Sequence, residues 1–217
     1  MSDRFDEGEQ LPEIIPVFPL SGALLLPRGQ LPLNIFEPRY LAMIDAALAG
    51  DRVIGMIQPQ EDVPEGFAPP LRTVGCAGRI TAFSETDDDR YLITLTGITR
   101  FAVLEEIATD TPYRLCRVTA EPFAGDLTVR GESEVDREGL LDAFRAYLEA
   151  NNLEADWDSV DKASNESLVN AIAMIAPYGP AEKQALLEAP DLKTRAETLV
   201  ALTEIALTHE AQGRRLQ

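Results

Sequence analysis

Residues 14–41 read IIPVFPLSGALLLPRGQLPLNIFEPRYL, and five prolines, at 16, 19, 27, 32 and 38, punctuate three short apolar runs. Proline lacks a backbone N–H and fixes φ, so it is kept out of helix interiors and of central strands. A chain that opens this way is restricted to short strands at sheet edges or strand ends, joined by tight turns. IIPVFPL (14–20) reads as such a strand, and ALLLP (23–27) and LPLNIF (31–36) as two more. LPRGQLP between them is a turn. EPRYLAMIDAALAG then has the marks of a helix, with Glu37 at the cap, Pro38 at the first helical position and Gly50 just past the end. Leu41, Ile44 and Leu48 form its expected apolar stripe.

Further along, RVIGMIQ (52–58) reads as a strand and residues 59–70 as an exposed loop. Four β segments follow: 72–83, 91–97, 100–107 and 113–123. Gly75 and Gly78 suggest bends or bulges in the first, and SETDDDR forms a hairpin turn after it. Short strands at this spacing indicate a barrel or sandwich. The period then changes near residue 125. A capping pattern at Ser133 and Asp136 precedes Leu140, Leu141, Phe144, Tyr147 and Leu148 at helical spacing. Further helices are expected over 164–179, 180–189 and 190–211, the last with Leu192, Leu199, Leu202 and Ile205 inward. The expected organisation is a flexible tail over 1–13, a β domain over 14–124 and a bundle of about four helices over 125–217, packed on each other.

Composition narrows the chemistry. The chain has 217 residues and a formal net charge of −18, and both the β-rich and the helical part are acidic. Phosphate binding depends on a basic footprint, so nucleic acid is disfavoured as a partner. The first ten residues are polar and acidic, unlike a secretory leader, and no apolar run approaches the length needed to span a bilayer. Cys76 and Cys116 lie in apolar surroundings and read as buried reduced thiols in a cytoplasmic protein rather than as a disulfide. No closely spaced glycines precede a lysine, as a nucleotide-phosphate loop requires. His209 is the single histidine, which leaves paired-histidine zinc chemistry and Ser–His or Cys–His nucleophiles without material. Asp87, Asp88 and Asp89 lack the spacing of a calcium loop. Glu105 and Glu106 are neighbours on a strand, so they face opposite sides and cannot act jointly. No catalytic set, cofactor site or metal site is expected.

The run IPVFPLSGALLLPRGQLPLNIFEPRYLAMIDAAL resembles the N-terminal substrate-binding domain of Lon proteases, which starts with PVFPL, an apolar strand ending in P-x-G, then PL and a helix. The likeness continues through VGCAGRI (74–80) and LTGITRF (96–101), where Gly97 and Arg100 match a Gly and an Arg of the family, while Thr96 stands where the family usually has Glu. The resemblance implies an α+β fold, a PUA-like β-barrel followed by a C-terminal helical bundle. It also implies a stand-alone form, since neither a phosphate loop nor the Ser–Lys dyad of the protease domain is found. The expected function is therefore non-enzymatic, ATP-independent recognition of polypeptide, an unfolded chain or a partner protein, in a bacterial cytoplasm. The alternative is a PUA-like RNA-binding module, which the net charge of −18 disfavours. No nucleic acid, membrane or cofactor partner is expected, and weak self-association stays open. The candidate peptide-binding residues are Phe36, Glu37, Arg39 and Tyr40, at the corner where a strand meets a helix N-terminus. Tyr178, at the bend IAPYGP, is a second candidate, in a groove between the β and helical parts. The competing structural readings are a cap for Glu37 and a core contact for Tyr40.

Overall fold

The computed structural model describes residues 11–60 and 68–215, with side chains to Thr208. Residues 1–10 of the expected tail, most of the 59–70 loop and the side chain of His209 lie outside the described residues, whereas Leu11 packs against the core and the Glu13 carbonyl accepts from Val118 N–H at 2.8 Å. One compact unit ends at Thr128 and a second begins at Val129.

The first unit is a six-stranded mixed sheet with one helix. Its strands are β1 (Ile14–Pro19), β2 (Gln30–Ile35), β3 (Val53–Pro59), β4 (Leu71–Glu85), β5 (Tyr91–Ile107) and β6 (Arg114–Thr119), and helix α1 (Pro38–Ala49) follows β2. The order is β2-β5-β4-β3-β1-β6, and β6 also pairs with β5. The sheet therefore closes through β5, β4, β3, β1 and β6, with β2 added outside on β5. β1 runs parallel to β3, and the other pairings are antiparallel. Closure removes most open edges, the usual hazard of a β unit.

The enclosed core contains Ile15, Val17, Val53, Ile57, Ala77, Ile98, Phe101, Cys116 and Val118. Phe101 is its largest member, and Gly55 and Gly75 make room for its ring: a Cβ at Gly75 would lie 2.4 Å from the Phe101 Cζ. Gly75 is thus needed for close approach rather than for a bend. A register shift of β4 against β5 does fall between Ala77 and Gly78.

Four sequence expectations are corrected in this unit. ALLLP is not a ladder strand: Leu24, Leu25, Leu26 and Pro27 form a buried, irregular plug. Its end is held by bonds of 2.8 Å from Arg28 N–H to the Gly97 carbonyl and from Gly97 N–H to the Gly29 carbonyl. The segments 91–97 and 100–107 are one 17-residue strand, because Gly97 lets the plug cross it without ending it. β6 stops at Thr119, and Pro122 opens a 3-10 segment over Glu121–Leu127. In α1 the buried row is Tyr40, Met43, Ile44 and Ala47 rather than Leu41, Ile44 and Leu48, since Tyr40 packs on Phe18 with ring centroids 4.1 Å apart.

The second unit is helical among its described residues: α2 (Arg137–Ala150), α3 (Trp157–Lys162), α4 (Asn165–Ile175), α5 (Pro180–Glu188) and α6 (Leu192–Arg215), after a 3-10 turn over Glu132–Glu134. Helices α2, α4 and α5 all contact α6. The side chain of Asp136 caps α2 by accepting from Gly139 N–H, while Ser133 lies in the 3-10 turn and caps nothing. Glu132 instead accepts the N–H groups of Asn165 and Glu166 at 2.8 and 3.0 Å, an anion on the N-terminus of α4. Leu140, Leu141, Leu148, Leu192 and Leu199 are buried as expected, but Leu202 is half-buried and Ile205 is 54% exposed. The long pattern in α6 outruns the helices packed against it. The short α3, with only one strong apolar residue besides Trp157, was not legible from spacing.

Candidate functional site

Tyr40 is 6% exposed, and burial raises its pKa while the neighbouring Arg39 works the other way. Arg39 covers the remaining ring face, with its guanidinium carbon 4.5 Å from the centroid. Glu37 makes no side-chain cap bond and pairs instead with Arg39, which donates through Nε at 2.9 Å. Tyr178 donates to or accepts from Thr203 Oγ1 at 2.7 Å within the second unit. It lines a cavity of about 10 Å³, room for a single water, with Phe144, Tyr147, Ile172 and Val200. Of the five sequence candidates, Phe36 and Arg39 present surface, Tyr40 is packed inside the first unit, Tyr178 is half-buried in the second, and Glu37 neutralises Arg39.

Phe36 is the outlier, 63% exposed directly after β2. The β2–β5–β4 register extends the surface around it. Ile35 pairs with Tyr91, and Tyr91 with Glu85 across the hairpin. Phe83 and Tyr91 share one face at diagonal positions, with centroids 5.0 Å apart in an edge arrangement. Arg90 reaches over Phe36, its guanidinium carbon 5.9 Å from the ring centroid, and is paired with Asp88 at 2.9 Å. Tyr91 donates to Asp45 Oδ1 on α1 at 3.0 Å, which raises its pKa and orients its ring. Phe83 is 43% and Leu92 46% exposed. The alternation along β5 divides these side chains between two faces: Phe83 and Tyr91 share one, while Leu92, the next residue, takes the other, and Arg90 meets Phe36 separately at the strand end. Sequence reading saw the hairpin only as a solvated tip. The available signal was the pair of aromatics flanking it, which only the hairpin register brings to one face.

Away from this corner the polar groups answer one another. Arg114 pairs with Glu106 and Arg117 with Glu105, so the adjacent carboxylates serve separate cations, as their opposite facing requires. Buried Arg100 donates to both carboxylate oxygens of buried Asp126, at 2.9 and 2.8 Å, and its own backbone N–H adds a third bond at 2.9 Å. That pair anchors the 3-10 segment to β5, and Phe123 stacks on the guanidinium. Thr96, where the family usually has Glu, meets Thr81 hydroxyl to hydroxyl at 2.9 Å. Cys76 and Cys116 are buried and form no disulfide, and burial pushes the Cys116 thiol up to about 11. No group of three or more His, Cys, Asp or Glu side chains is placed to hold a metal ion among the described residues. None of the described helices is long and apolar enough to cross a membrane.

Comparison with known proteins bears on what such a corner belongs to. Among curated proteins, Lon protease 2 of Myxococcus xanthus is 29% identical over 201 residues, 89% of this chain and 24% of that protein. Lon protease of Desulfosudis oleivorans is 28% identical over 198 residues, 86% of this chain and 23% of that protein. The chain spans about a quarter of the length of the curated relatives it matches. Among solved structures, the Lon N-terminal domain protein from Xanthomonas campestris superposes with a TM-score of 0.62 at 22% identity, covering 87% of this chain and 97% of that one. The N-terminal domain of the Mycobacterium avium complex Lon protease gives 0.60 at 18%, covering 88% and 98%. These two establish the fold. The family model for the ATP-dependent protease La (Lon) substrate-binding domain matches residues 14–204, nearly the whole described chain, and the protein therefore belongs to that substrate-binding domain family.

Proposed function

We propose that this chain is a non-enzymatic recognition module for polypeptide, a PUA-like barrel and helical bundle acting without ATP in the cytoplasm, whose ligand is an unfolded chain or a partner protein. The observation that carries this reading is the pair of exposed aromatics at one end of the β2–β5–β4 sheet, Phe36 beneath Arg90 and Phe83 edge-on to Tyr91. Large apolar side chains left in water on one corner, beside a core that is otherwise filled, suit a contact surface. Rigid aromatics supply contact area at low entropic cost, and one arginine at the rim favours no particular sequence. Membership of the substrate-binding family supports the same class of ligand. An RNA-binding role gains little from Arg39, Arg90, Arg100 and Arg114, because each already faces a carboxylate.

Fluorescence anisotropy with a labelled, reduced and carboxymethylated unfolded protein tests the reading. Binding near the micromolar range is expected, about −8 kcal/mol, with a shallow dependence on salt. Phe83→Ser and Phe36→Ser should each weaken it several-fold without unfolding the chain, and Arg39→Ala should weaken it less. Tight binding of a labelled RNA that collapses as salt rises, with no binding of the unfolded protein, would reverse the assignment.

A further inference from the structure

We propose that the outer edge of β4 at residues 81–85 receives a segment of the ligand as an added strand, so that main-chain hydrogen bonding, not only the aromatic corner, holds the client. The inference rests on the polypeptide-recognition reading above and specifies how that site works. β4 is 15 residues long, but β3 accompanies it only as far as Arg79, and Ile80 N–H closes that side by donating to the Arg52 carbonyl at 2.8 Å. Beyond Ile80, β4 is paired among the described residues only with β5.

The phase of the free edge follows from the hairpin. Thr86 N–H bonds to the Arg90 carbonyl at 2.9 Å, which makes 86 and 90 a hydrogen-bonded pair. In an antiparallel ladder bonded and non-bonded pairs alternate. Ser84 with Leu92 and Ala82 with Thr94 are then bonded pairs, whereas Glu85 with Tyr91 and Phe83 with Ile93 are not. The N–H and carbonyl groups of Phe83 and Glu85 consequently point away from β5. The same phase makes Tyr91, Ile93 and Leu95 face β2, where their partners are Ile35, Leu33 and Leu31. Pro32 then falls on the outward-facing set of β2, the position a proline must take in a strand.

The two edges of this three-stranded corner thus differ. Pro32 removes a donor from the middle of the β2 edge. The β4 edge, Thr-Ala-Phe-Ser-Glu, carries no proline and no lysine, the residues that commonly blunt an edge. A register shift leaves Thr81 irregular, and the regular stretch from Ala82 to Glu85 spans about 13 Å at the rise of a strand, enough for four paired residues. Only an extended main chain offers donors and acceptors at the matching spacing, and Phe83 beside the edge contacts an apolar side chain of the added strand. Because backbone is common to all sequences, such a site binds chains of many sequences.

The test uses the full chain, isotope-labelled, with a fluorescent octapeptide of alternating valine and threonine. A second octapeptide carries N-methyl groups on two consecutive central residues, one on each edge, so that neither edge can pair. The unmodified peptide should bind and slow hydrogen exchange of the Phe83 and Glu85 amides, leaving Ala82 and Ser84, already bonded to β5, unchanged. The N-methylated peptide should bind at least ten-fold more weakly. Equal binding of both peptides with no protection at Phe83 and Glu85 would overturn the edge while leaving polypeptide recognition intact. Failure of both peptides and of the unfolded protein to bind would overturn both. Protection of the two amides without peptide, rising with protein concentration, would also overturn it by assigning the edge to a second copy of this chain.

Discussion

Replacing Gly97 by alanine tests the proposition that the buried Leu24–Leu26 plug is held across β5 by close backbone approach. A Cβ at Gly97 would sit 2.0 Å from the Leu26 carbonyl oxygen and 2.8 Å from the Leu26 carbonyl carbon, where ordinary contact starts at 3.4 Å. Both clashing atoms are backbone, so no rotamer change relieves them. The plug must retreat by about 1 Å or more, which takes the two 2.8 Å bonds between Gly97 and residues 28 and 29 past the length of a backbone hydrogen bond. With one group of each broken bond left unpaired at about 1–3 kcal/mol, the two bonds together cost about 2–6 kcal/mol. That is a large share of the roughly 5–15 kcal/mol that holds a domain folded. Urea denaturation followed by tyrosine near-ultraviolet circular dichroism reads the loss. Fluorescence of Trp157, the one tryptophan, reports the second unit separately. Gly125→Ala is the control, because nothing lies within 4 Å of its Cβ, and it should stay within about 0.5 kcal/mol of the parent. A loss below about 1 kcal/mol for Gly97→Ala would refute the reasoning and mean that the plug is not seated against β5 in solution.

Asp126→Ala leaves the buried Arg100 guanidinium without its carboxylate and should cost about 3–5 kcal/mol, whereas the double variant Arg100→Met, Asp126→Leu should be markedly less destabilised, both read by urea denaturation. Cys116 has a folded-state pKa raised by burial from 9.0 to about 11, so its neutral thiol favours the folded state below pH 9. That contribution is lost as pH rises from 9 towards 11. Stability measured across that window should fall less steeply in Cys116→Ala, and iodoacetamide should leave Cys116 of the folded chain unmodified at pH 8.

What could be read in advance follows from which forces are local. Proline and glycine act through their own backbone, so the short strand at 14–19, the start of α1 at Pro38 and the turn at 86–90 were legible from composition alone, but the edge position expected for that strand was not met, since β1 pairs with β3 on one side and β6 on the other. Helical spacing in 137–150 and 165–175 was legible for the same reason, as was the separate facing of Glu105 and Glu106. The candidate site was less legible. Phe36 was singled out for its position at a strand end, but Tyr40 looked equally available and is packed on Phe18 instead. Phe83 and Tyr91 passed unnoticed because their meeting depends on hairpin register rather than on neighbours in sequence.

The amino-acid sequence by itself determined the succession of short strands and then helices, the acidic charge that disfavours a phosphate binder, the lack of a nucleotide loop and the likeness to the Lon substrate-binding family. These rest on residue types and near spacings. Only the tertiary structure decided that ALLLP is a plug and not a strand, that β5 runs unbroken past Gly97, that β6 closes the sheet onto β5, and that Arg100 meets Asp126. It also decided which edge of the corner remains open to an added strand. Each of these is a contact between residues far apart in the chain. An apolar run such as LLLP has the same local preferences whether a ladder or a packed cavity receives it, so where its hydrogen bonds go is settled only when Gly97 and Gly78 leave the space that its backbone and Leu25 fill.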